Sequence, residues 1–544
     1  MIQLTKPEDG MRRRTRRLAL AAAAVLGLAA CGGPGAPTGT DAAAAGPPQR
    51  GGEITVLEGD SFAGGWPSGL DPATNTTGGA NISQMSSIYG GLFALTANPD
   101  GSDVKVVPNQ AESYELLDGG RTVRITLRGG IRFSDGTPLD AAAVAFNFQR
   151  DLTASCSCAP PWQLADNGIT TDGPSTVVLR FTQPYAAVIN AFPISNVNWI
   201  ASPTALRKLG ADQFKLTPVG AGPFTVVSDR LSSELVLARN PDYFKPGLPY
   251  LDRLTFKSIG GDQPAYQALL AGQAQAYEGM GTVPLIDQAM TNPRLTETIE
   301  PPTSPYVIQL NTKIAPFDNQ LAREAIYYAS DFGAIAKGLF KGAYPVSQMF
   351  TGSGGLFHHP AVPGYRTFDL EKARQLVQQL GGLTVELGTI SNYVAQQVST
   401  ALQTQWQAAG IKVTMNTYQL STLVQQFNSG TWQTMLQTAG AWDPAAGVGV
   451  GFRFSSTSPF SGVSDPRLDD LLDQAAGTLD PNRRDTLYQE AGKYISDRAY
   501  APFGLAFATA NLAVKGVYGP GLTTKIPPLV VNTGVLWDQV WRAR

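Results

Sequence analysis

The chain of 544 residues contains only two histidines, His358 and His359, which stand next to each other before Pro360. A serine or cysteine hydrolase would need one of these imidazoles beside its nucleophile as a general base. The sequence has no G-x-S-x-G turn, no H-E-x-x-H helix and no G-x-x-x-x-G-K-[ST] phosphate loop. Ser102 and Lys105 have S-x-x-K spacing, but the partner motif K-T-G is missing. These residues favour a protein that is not an enzyme, with a secreted hydrolase as the alternative.

The histidine pair and the cysteines are also candidates for holding a metal ion. His358–His359 could ligate a transition metal, but the pair lies in a Gly- and Pro-rich stretch typical of an exposed loop. Cys156 and Cys158 lack the two further ligands of a zinc site. After export these two cysteines could form a strained local disulfide or stay free. Residues 447–451, G-V-G-V-G, do not have the G-x-G-x-x-G spacing of a nucleotide loop. We therefore expect neither a metal nor a cofactor.

The N-terminus has the features of an export signal. Five arginines between residues 12 and 17 precede the apolar run Leu18–Ala30, which is too short to span a bilayer. The run ends in L-A-A-C and so resembles a lipoprotein signal of residues 1–30, which implies cleavage before Cys31 and lipidation of its thiol. The alternative is an ordinary signal peptide with a chance cysteine. Both the general secretory and the twin-arginine export routes stay open, as do starts at Met1 and Met11.

Composition describes a mildly acidic globular protein that is too long for one hydrophobic core. Hydrophobic residues make up 43% of the chain, charged residues 15%, and the formal net charge is −2. Because single cores stop growing near about 250–300 residues, this length predicts several lobes. Basic residues cluster only at the N-terminus, which gives no reason to expect a nucleic-acid partner. Residues 31–50, rich in Gly, Ala, Pro and Thr, predict a flexible linker.

Local patterns predict the elements between residues 106 and 150. Val123, Ile125 and Leu127 alternate with Thr and Arg, which places one apolar face on a half-buried strand. Asp140 is positioned to cap the helix that follows. Later in the chain, Asp480 and the proline after it predict the start of another helix by the same reasoning.

The stretch 106–150 resembles the family 5 extracellular solute-binding proteins, the receptors of oligopeptide, dipeptide and nickel ABC importers. Asp118–Arg128 and Ile131–Leu139 match the family patterns "D-G-x-T-x-T-F-x-L-R" and "v-x-F-S-D-G-x-P-L", although Ala143 stands where the family usually has Asp. Other segments on both sides of this stretch match the family in its usual order. They are Leu70–Ala73, Ile88–Phe93, Pro218–Phe224, Asn240–Phe244, Pro249–Asp252, Ile308–Asn311, Leu321–Asp331 and Asp369–Leu376.

This resemblance implies an α/β fold of the periplasmic-binding-protein type (type II, cluster C), in which two lobes close on a solute. An extra α/β subdomain would be inserted into the first lobe. The implied boundaries are 51–87, 218–306 and 513–544 for lobe I, 88–217 for the inserted subdomain and 307–512 for lobe II.

The resemblance also implies a ligand site near Trp442 and Asp443, where peptide receptors of the family carry an Asp that pairs with the ligand's α-ammonium. A desolvated carboxylate in a closing cleft forms a charge-assisted hydrogen bond with an amine, and an indole gives an apolar or cation–π face. The alternative is that Asp443 and Pro444 only shape a turn.

Three further residues are candidate ligand contacts. Arg453 could receive a carboxylate through two hydrogen bonds or could lie on a surface strand. Trp66 and Tyr89 fall near segments that face the ligand in the family, and either could equally belong to the core.

Together these features predict a lipid-anchored receptor on the extracytoplasmic face of the cell membrane. It would capture a peptide or peptide-like solute by lobe closure and deliver it to the permease subunits of an ABC importer. We expect a monomer that contacts the membrane only through the lipid on Cys31. The same fold could instead bind an opine, a sugar or a nickel chelate. Ligand identity, length preference and the partner permease stay open.

Overall fold

The computed structural model describes residues 46–59, 65–76, 81–154, 162–447, 449–506, 508–525 and 535–544. The predicted signal peptide, Cys31, most of the predicted linker and the pair Cys156 and Cys158 lie outside these ranges. Among the described residues, no helix has the length and apolar character needed to cross a membrane.

Strands and helices alternate along the described chain. The strands are β1 Glu53–Gly59, β2 Phe93–Thr96, β3 Lys105–Pro108, β4 Ala111–Leu117, β5 Thr122–Leu127, β6 Leu164–Asp172, β7 Thr176–Phe181, β8 Phe224–Arg230, β9 Glu234–Arg239, β10 Arg253–Ile259, β11 Ala276–Met280, β12 Leu295–Ile299, β13 Pro305–Leu310, β14 Leu383–Ile390, β15 Ile411–Tyr418, β16 Thr434–Thr438, β17 Phe503–Ala506, β18 Ala510–Val514, β19 Val517–Tyr518 and β20 Trp541–Arg542. The helices are α1 Ile82–Tyr89, α2 Ala141–Thr153, α3 Val188–Ala191, α4 Pro203–Leu209, α5 Ala211–Phe214, α6 Asp262–Leu270, α7 Val283–Met290, α8 Gln320–Ala329, α9 Phe332–Phe340, α10 Leu370–Gln379, α11 Tyr393–Ala408, α12 Leu420–Ser429, α13 Val450–Phe454, α14 Pro466–Gly477 and α15 Pro481–Asp497.

Local chemistry explains where several of these elements form. Val123, Ile125 and Leu127 of β5 are all buried, which confirms the predicted apolar face. The Asp140 side chain accepts the backbone N–H of Ala143 and so caps α2, as predicted. Asp480 caps α15 in the same way through the N–H of Arg483 at 2.8 Å.

Three sheets organise the molecule. The first has seven strands in the order β12-β18-β11-β1-β10-β9-β8, the second five in the order β15-β14-β16-β13-β17, and the third four in the order β4-β5-β7-β6. We call the parts packed around them the first lobe, the second lobe and the inserted subdomain. Strand β1 is parallel to both of its neighbours, β10 and β11, and β14 is parallel to β15 and β16. This confirms the predicted α/β class with two lobes.

Each sheet has its own apolar core. Representative buried side chains are Val56, Leu254 and Phe256 in the first lobe, Ile308, Leu387 and Trp406 in the second, and Ile125, Phe148 and Phe192 in the inserted subdomain. Trp199 and Phe214, which the predicted boundaries place in the insertion, belong to the buried cluster of the first lobe. The domain boundaries themselves stay a prediction.

The chain passes between the two lobes through two neighbouring segments. Strand β12 leads from the first sheet into β13 of the second, and β17 leads back into β18 of the first. Backbone and side-chain bonds join the two passages, since the Glu300 N–H donates to the Thr509 carbonyl at 3.0 Å. The Glu300 carboxylate also accepts from Asn511 Nδ2 at 3.0 Å. The lobes are therefore joined by a narrow two-segment hinge.

Candidate functional site

In the first sheet, the edge that faces the hinge is also the carboxyl edge of its parallel strands. Met280 at the end of β11 and Ile299 at the end of β12 both pair with Ala510, where the chain returns from the second lobe. The parallel strand β1 ends at the same edge, because Glu58 pairs with Glu278 of β11. Open α/β sheets bind ligands outside such carboxyl edges.

The second sheet presents a matching edge to the hinge. Pro305 at the start of β13 pairs with Ala506 at the end of β17, and Thr438 at the end of β16 lies opposite Tyr306. The parallel strand β14 ends at this edge too, since it runs alongside β16. A cleft between the two carboxyl edges is therefore the natural place for a ligand.

Three of the predicted ligand contacts lie together in one buried cluster. Trp442, which follows β16 of the second sheet, is 4% exposed and belongs to the same apolar cluster as Trp66 and Tyr89 of the first lobe. Trp66 Nε1 donates to Asp229 Oδ1 at 2.8 Å, and the Tyr89 hydroxyl donates to the Leu70 carbonyl at 2.8 Å. The indole N–H of Trp66 and the hydroxyl of Tyr89 therefore already donate to acceptors within the protein. Trp442 brings the second lobe into contact with the first-lobe core.

Asp443 is fully buried and its carboxylate is already engaged. It accepts from Arg484 Nη2 at 2.8 Å, from Asn190 Nδ2 at 2.8 Å and from the backbone N–H of Ala445 at 3.0 Å. Burial by itself would lower the pKa of Arg484, but the adjacent Asp443 charge outweighs it and the pKa is raised. The bond to Ala445 holds a turn, and the other two join α15 to the inserted subdomain. A ligand ammonium at Asp443 would have to displace one of these partners.

Arg453 lies on the short helix α13, and its side chain is buried with 7% exposure. Its Nε donates to the Thr438 carbonyl at 2.9 Å, which places the guanidinium near the hinge-facing edge of the second sheet. The rings of Phe452 and Phe427 lie 5.0 and 6.0 Å from its Cζ. No carboxylate pairs with it within the described ranges, and burial lowers its pKa to about 9. A buried cation without a counter-charge is suited to bind an anionic group.

The described contacts of the two histidines are with a backbone carbonyl and a carboxylate. His358 Nδ1 lies 2.9 Å from the Thr351 carbonyl, and His359 Nε2 lies 2.7 Å from Asp485 Oδ1. Among the described residues, no group of three or more His, Cys, Asp or Glu side chains could hold a metal ion. This geometry gives no support to hydrolytic or metal chemistry at the histidine pair.

Two carboxylates at the hinge-facing edge of the first sheet were not predicted from the sequence. Glu58 of β1 and Glu278 of β11 are register partners on neighbouring parallel strands. The available signal was a glutamate inside the otherwise uncharged strand A-Y-E-G-M of residues 276–280. A charge in a buried strand is uncommon unless it is paired or functional.

Two cavities of the described structure lie beside the inserted subdomain. One of about 1020 Å³ separates it from the first lobe. The other, of about 420 Å³, lies between Tyr185 of the inserted subdomain and Pro444, Gly451 and Phe452 of the second lobe. Trp442, Asp443 and Arg453 do not line either cavity. The positions of these two cavities therefore do not coincide with the predicted ligand contacts.

Comparisons with known proteins agree with this architecture. The sequence model of "Bacterial extracellular solute-binding proteins, family 5 Middle" matches residues 105–459. The glutathione-binding protein GsiB of Escherichia coli (strain K12) is 30% identical over 433 residues, which are 74% of this chain and 80% of that protein.

Solved structures show the same fold. The periplasmic binding protein DppA from Helicobacter pylori, in complex with the peptide STSA, has a TM-score of 0.75 at 20% identity. AgaA from A. tumefacien R10, in complex with agropinic acid, has a TM-score of 0.76 at 22% identity. Each comparison covers 91% of this chain and 99% of the other.

Proposed function

The chain belongs to the family 5 bacterial extracellular solute-binding proteins, and on that premise we propose that it captures a peptide or peptide-like solute for an ABC importer. It is a solute-binding receptor of the ABC importer type.

The observation that carries the proposal is the pair of carboxyl edges that face each other across the two-segment hinge. Receptors that work by closure need two lobes that can rotate about a few connecting residues. Here β12–β13 and β17–β18 are those connections. Ligand binding would favour the closed arrangement only to the extent that the ligand binds it more tightly than the open one.

The chemistry of the second-lobe edge supports a ligand with a carboxylate. Arg453 offers a buried guanidinium without a carboxylate partner in the described part of the chain. We propose that it binds this carboxylate and that Trp442 supplies an apolar wall. Trp66 and Tyr89 would pack in the same apolar cluster as Trp442. Asp443 would hold the turn that follows Trp442. A peptide C-terminus fits this site, and the glutathione-binding relative and the peptide-bound fold neighbour favour that class.

A second candidate ligand is an opine, because a fold neighbour of similar TM-score holds agropinic acid. The same guanidinium would suit the carboxylate of such a compound. The two candidates differ in mass and in the number of peptide bonds.

We further propose that lipid on Cys31 anchors the receptor to the outer face of the cell membrane. It would act there as a monomer and dock on permease subunits when closed. Mass spectrometry of the N-terminal fragment tests the anchor. The parent chain should carry a lipidated Cys31, Cys31→Ser should not, and an unmodified Cys31 in the parent would overturn this part.

Native mass spectrometry of the full-length protein, purified from its host in mild detergent, tests the ligand class. We expect retained peptide masses in the parent chain and their loss in Arg453→Met. Arg467→Met removes an exposed guanidinium and should retain the ligand. A single opine mass would replace the peptide assignment. A ligand retained equally by Arg453→Met would remove Arg453 from the site.

A further inference from the structure

Glu58 and Glu278 place two carboxylates side by side at the hinge-facing edge of the first sheet. They are register partners on the parallel strands β1 and β11, so both side chains leave the sheet on the same face. That face is the one covered by α1, because Ser83 and Gln84 of α1 bond to them. The pair lies across the hinge from the edge that holds Arg453.

The donors around this pair are few and carry no charge. Glu278 accepts from the Ser83 hydroxyl at 2.7 Å and from Trp537 Nε1 at 2.8 Å. Gln84 Nε2 donates to both oxygens of Glu58 at 2.5 Å. Neither glutamate forms an ion pair with a Lys or Arg of the described chain. Glu278 is buried and Glu58 is half-buried, and two carboxylates held largely out of water without a cation cost considerable desolvation free energy.

Gln84 supplies a second, independent sign that a donor is missing. This side chain is completely buried, yet its Oε1 has no hydrogen-bond partner. Because Nε2 of the same amide is bonded to Glu58, the unpartnered oxygen is held beside that carboxylate. Buried acceptors normally find a donor. Two carboxylates and one unpartnered amide oxygen therefore lie close together, where a group with several N–H donors would add the missing charge and donor.

Without such a group, the pair must retain a proton. Burial and the neighbouring Glu278 charge raise the pKa of Glu58 well above its ordinary value. Burial raises the pKa of Glu278 to about 7, against the lowering effect of its bonds from Ser83 and Trp537. A bound cation would replace this proton, which would leave to the solvent.

We propose that Glu58, Glu278 and Gln84 form a subsite for the ammonium or guanidinium group of the ligand. This inference rests on the proposed function and refines it. With Arg453 at the facing edge, the receptor would select solutes that carry a cation at one end and a carboxylate at the other.

Isothermal titration with trialanine and N-acetyl-trialanine tests the subsite, since acetylation turns the ammonium into a neutral amide and keeps the carboxylate and the three residues. The parent chain should bind the free amine at least about tenfold more tightly, as expected for a charged hydrogen bond. Glu58→Gln and Glu278→Gln should each lose about tenfold for trialanine and little for the acetylated probe. Glu53→Gln, at the exposed far end of the same strand, should bind like the parent.

The outcomes separate this inference from the proposed function. If both glutamine variants bind trialanine like the parent, the cation subsite is wrong and the receptor assignment stands. If the parent binds neither probe, the carboxyl ¹³C signals of Glu58 and Glu278 are followed with methylguanidinium alone. These signals should shift in the parent, whereas unchanged signals would overturn the subsite without any peptide.

Discussion

Buried charges in this protein are neutralised in different ways. Asp443 and Arg484 form an ion pair with 0% and 8% side-chain exposure, whereas Arg453 has no carboxylate partner in the described ranges. An isolated buried charge disfavours folding unless something compensates for it. The pair therefore belongs to the structural core, whereas the Arg453 guanidinium is the group that we propose a ligand carboxylate neutralises.

Removal of Arg484 should strongly destabilise the fold. Arg484→Met leaves the Asp443 carboxylate buried without its counter-charge, which typically costs about 3–5 kcal/mol. Urea unfolding measures this change. Arg467→Met breaks an exposed pair with Asp470 and should cost less than about 1 kcal/mol. Equal losses in the two variants would show that the buried pair is not a structural requirement.

The pH dependence of stability should report on Glu278. Burial raises its folded pKa from 4.5 to about 7, so the folded protein holds a proton that the unfolded chain releases between these values. The resulting stabilisation is fully present below about pH 4.5 and is lost as the pH rises to about 7. Relative to the parent chain, Glu278→Gln should therefore gain free energy of unfolding across this window.

Urea unfolding at a series of pH values measures this gain. Glu58 is the charged group that faces Glu278 from the neighbouring strand, whereas the contacts from Ser83, Gln84 and Trp537 are uncharged. Glu53→Gln should keep the parent profile. Parallel profiles for the parent and Glu278→Gln would mean that Glu278 titrates normally in the folded protein.

At the scale of elements, close backbone contact fixes the end of α1 against the loop 218–224. The Gly222 N–H donates to the Ile88 carbonyl at 2.9 Å. A Cβ on Gly222 would lie 2.6 Å from that carbonyl group and 2.8 Å from the nitrogen of Gly90. Position 222 therefore requires glycine, because any side chain would clash with the backbone at the end of α1. The loop links the inserted subdomain back to the first lobe.

Gly222→Ala should therefore destabilise the protein by about 1–3 kcal/mol, the usual cost of overpacking a rigid site. Chemical denaturation gives the value. Gly338→Ala is the matched control, because it lies in the helix α9 with no atom within 4 Å of the added Cβ. The free energy of unfolding of that control should rise by about 1 kcal/mol, because alanine has a higher helix propensity than glycine. An unchanged stability of Gly222→Ala would contradict the close contact between Gly222 and the end of α1.

For the whole molecule, contacts between the inserted subdomain and the second lobe bear on closure. The Tyr185 hydroxyl donates to the Ala445 carbonyl at 3.1 Å, and the Ala186 N–H donates to the Ala476 carbonyl at 2.7 Å. The inserted subdomain is tied to the first lobe by the Ser134 N–H, which donates to the Gly220 carbonyl. We expect these two parts to move together, so that opening breaks the contacts with the second lobe.

Tyr185→Phe should then weaken ligand binding by about 2–10-fold, the equivalent of one lost hydrogen bond in the closed state. Titration with the solute retained during purification measures the change in Kd. Tyr243→Phe makes the same chemical change in a bond to Asp538 within the first lobe and should leave Kd unchanged. Equal Kd values for Tyr185→Phe and the parent would show that this contact does not contribute to closure.

Much of this protein follows from local sequence. The apolar face of β5, the Asp140 cap of α2 and the Asp480 cap of α15 depend on residues within a few positions of each other. Such short-range patterns are set by backbone geometry and need no tertiary context. The ordered motifs also predicted the two-lobed α/β fold that the comparisons confirm.

The tertiary structure alone decided which charges meet. Asp443 pairs with Asn190, 253 positions away, and with Arg484, 41 positions away. Glu58 lies beside Glu278 because of the register of β1 and β11. No periodicity within either segment specifies such partners, since sheet order and helix packing bring them together only after the chain has folded. The sequence determined the elements and the family, whereas the packing of the lobes determined which buried charges, such as Asp443 and Arg484, have a partner of opposite charge.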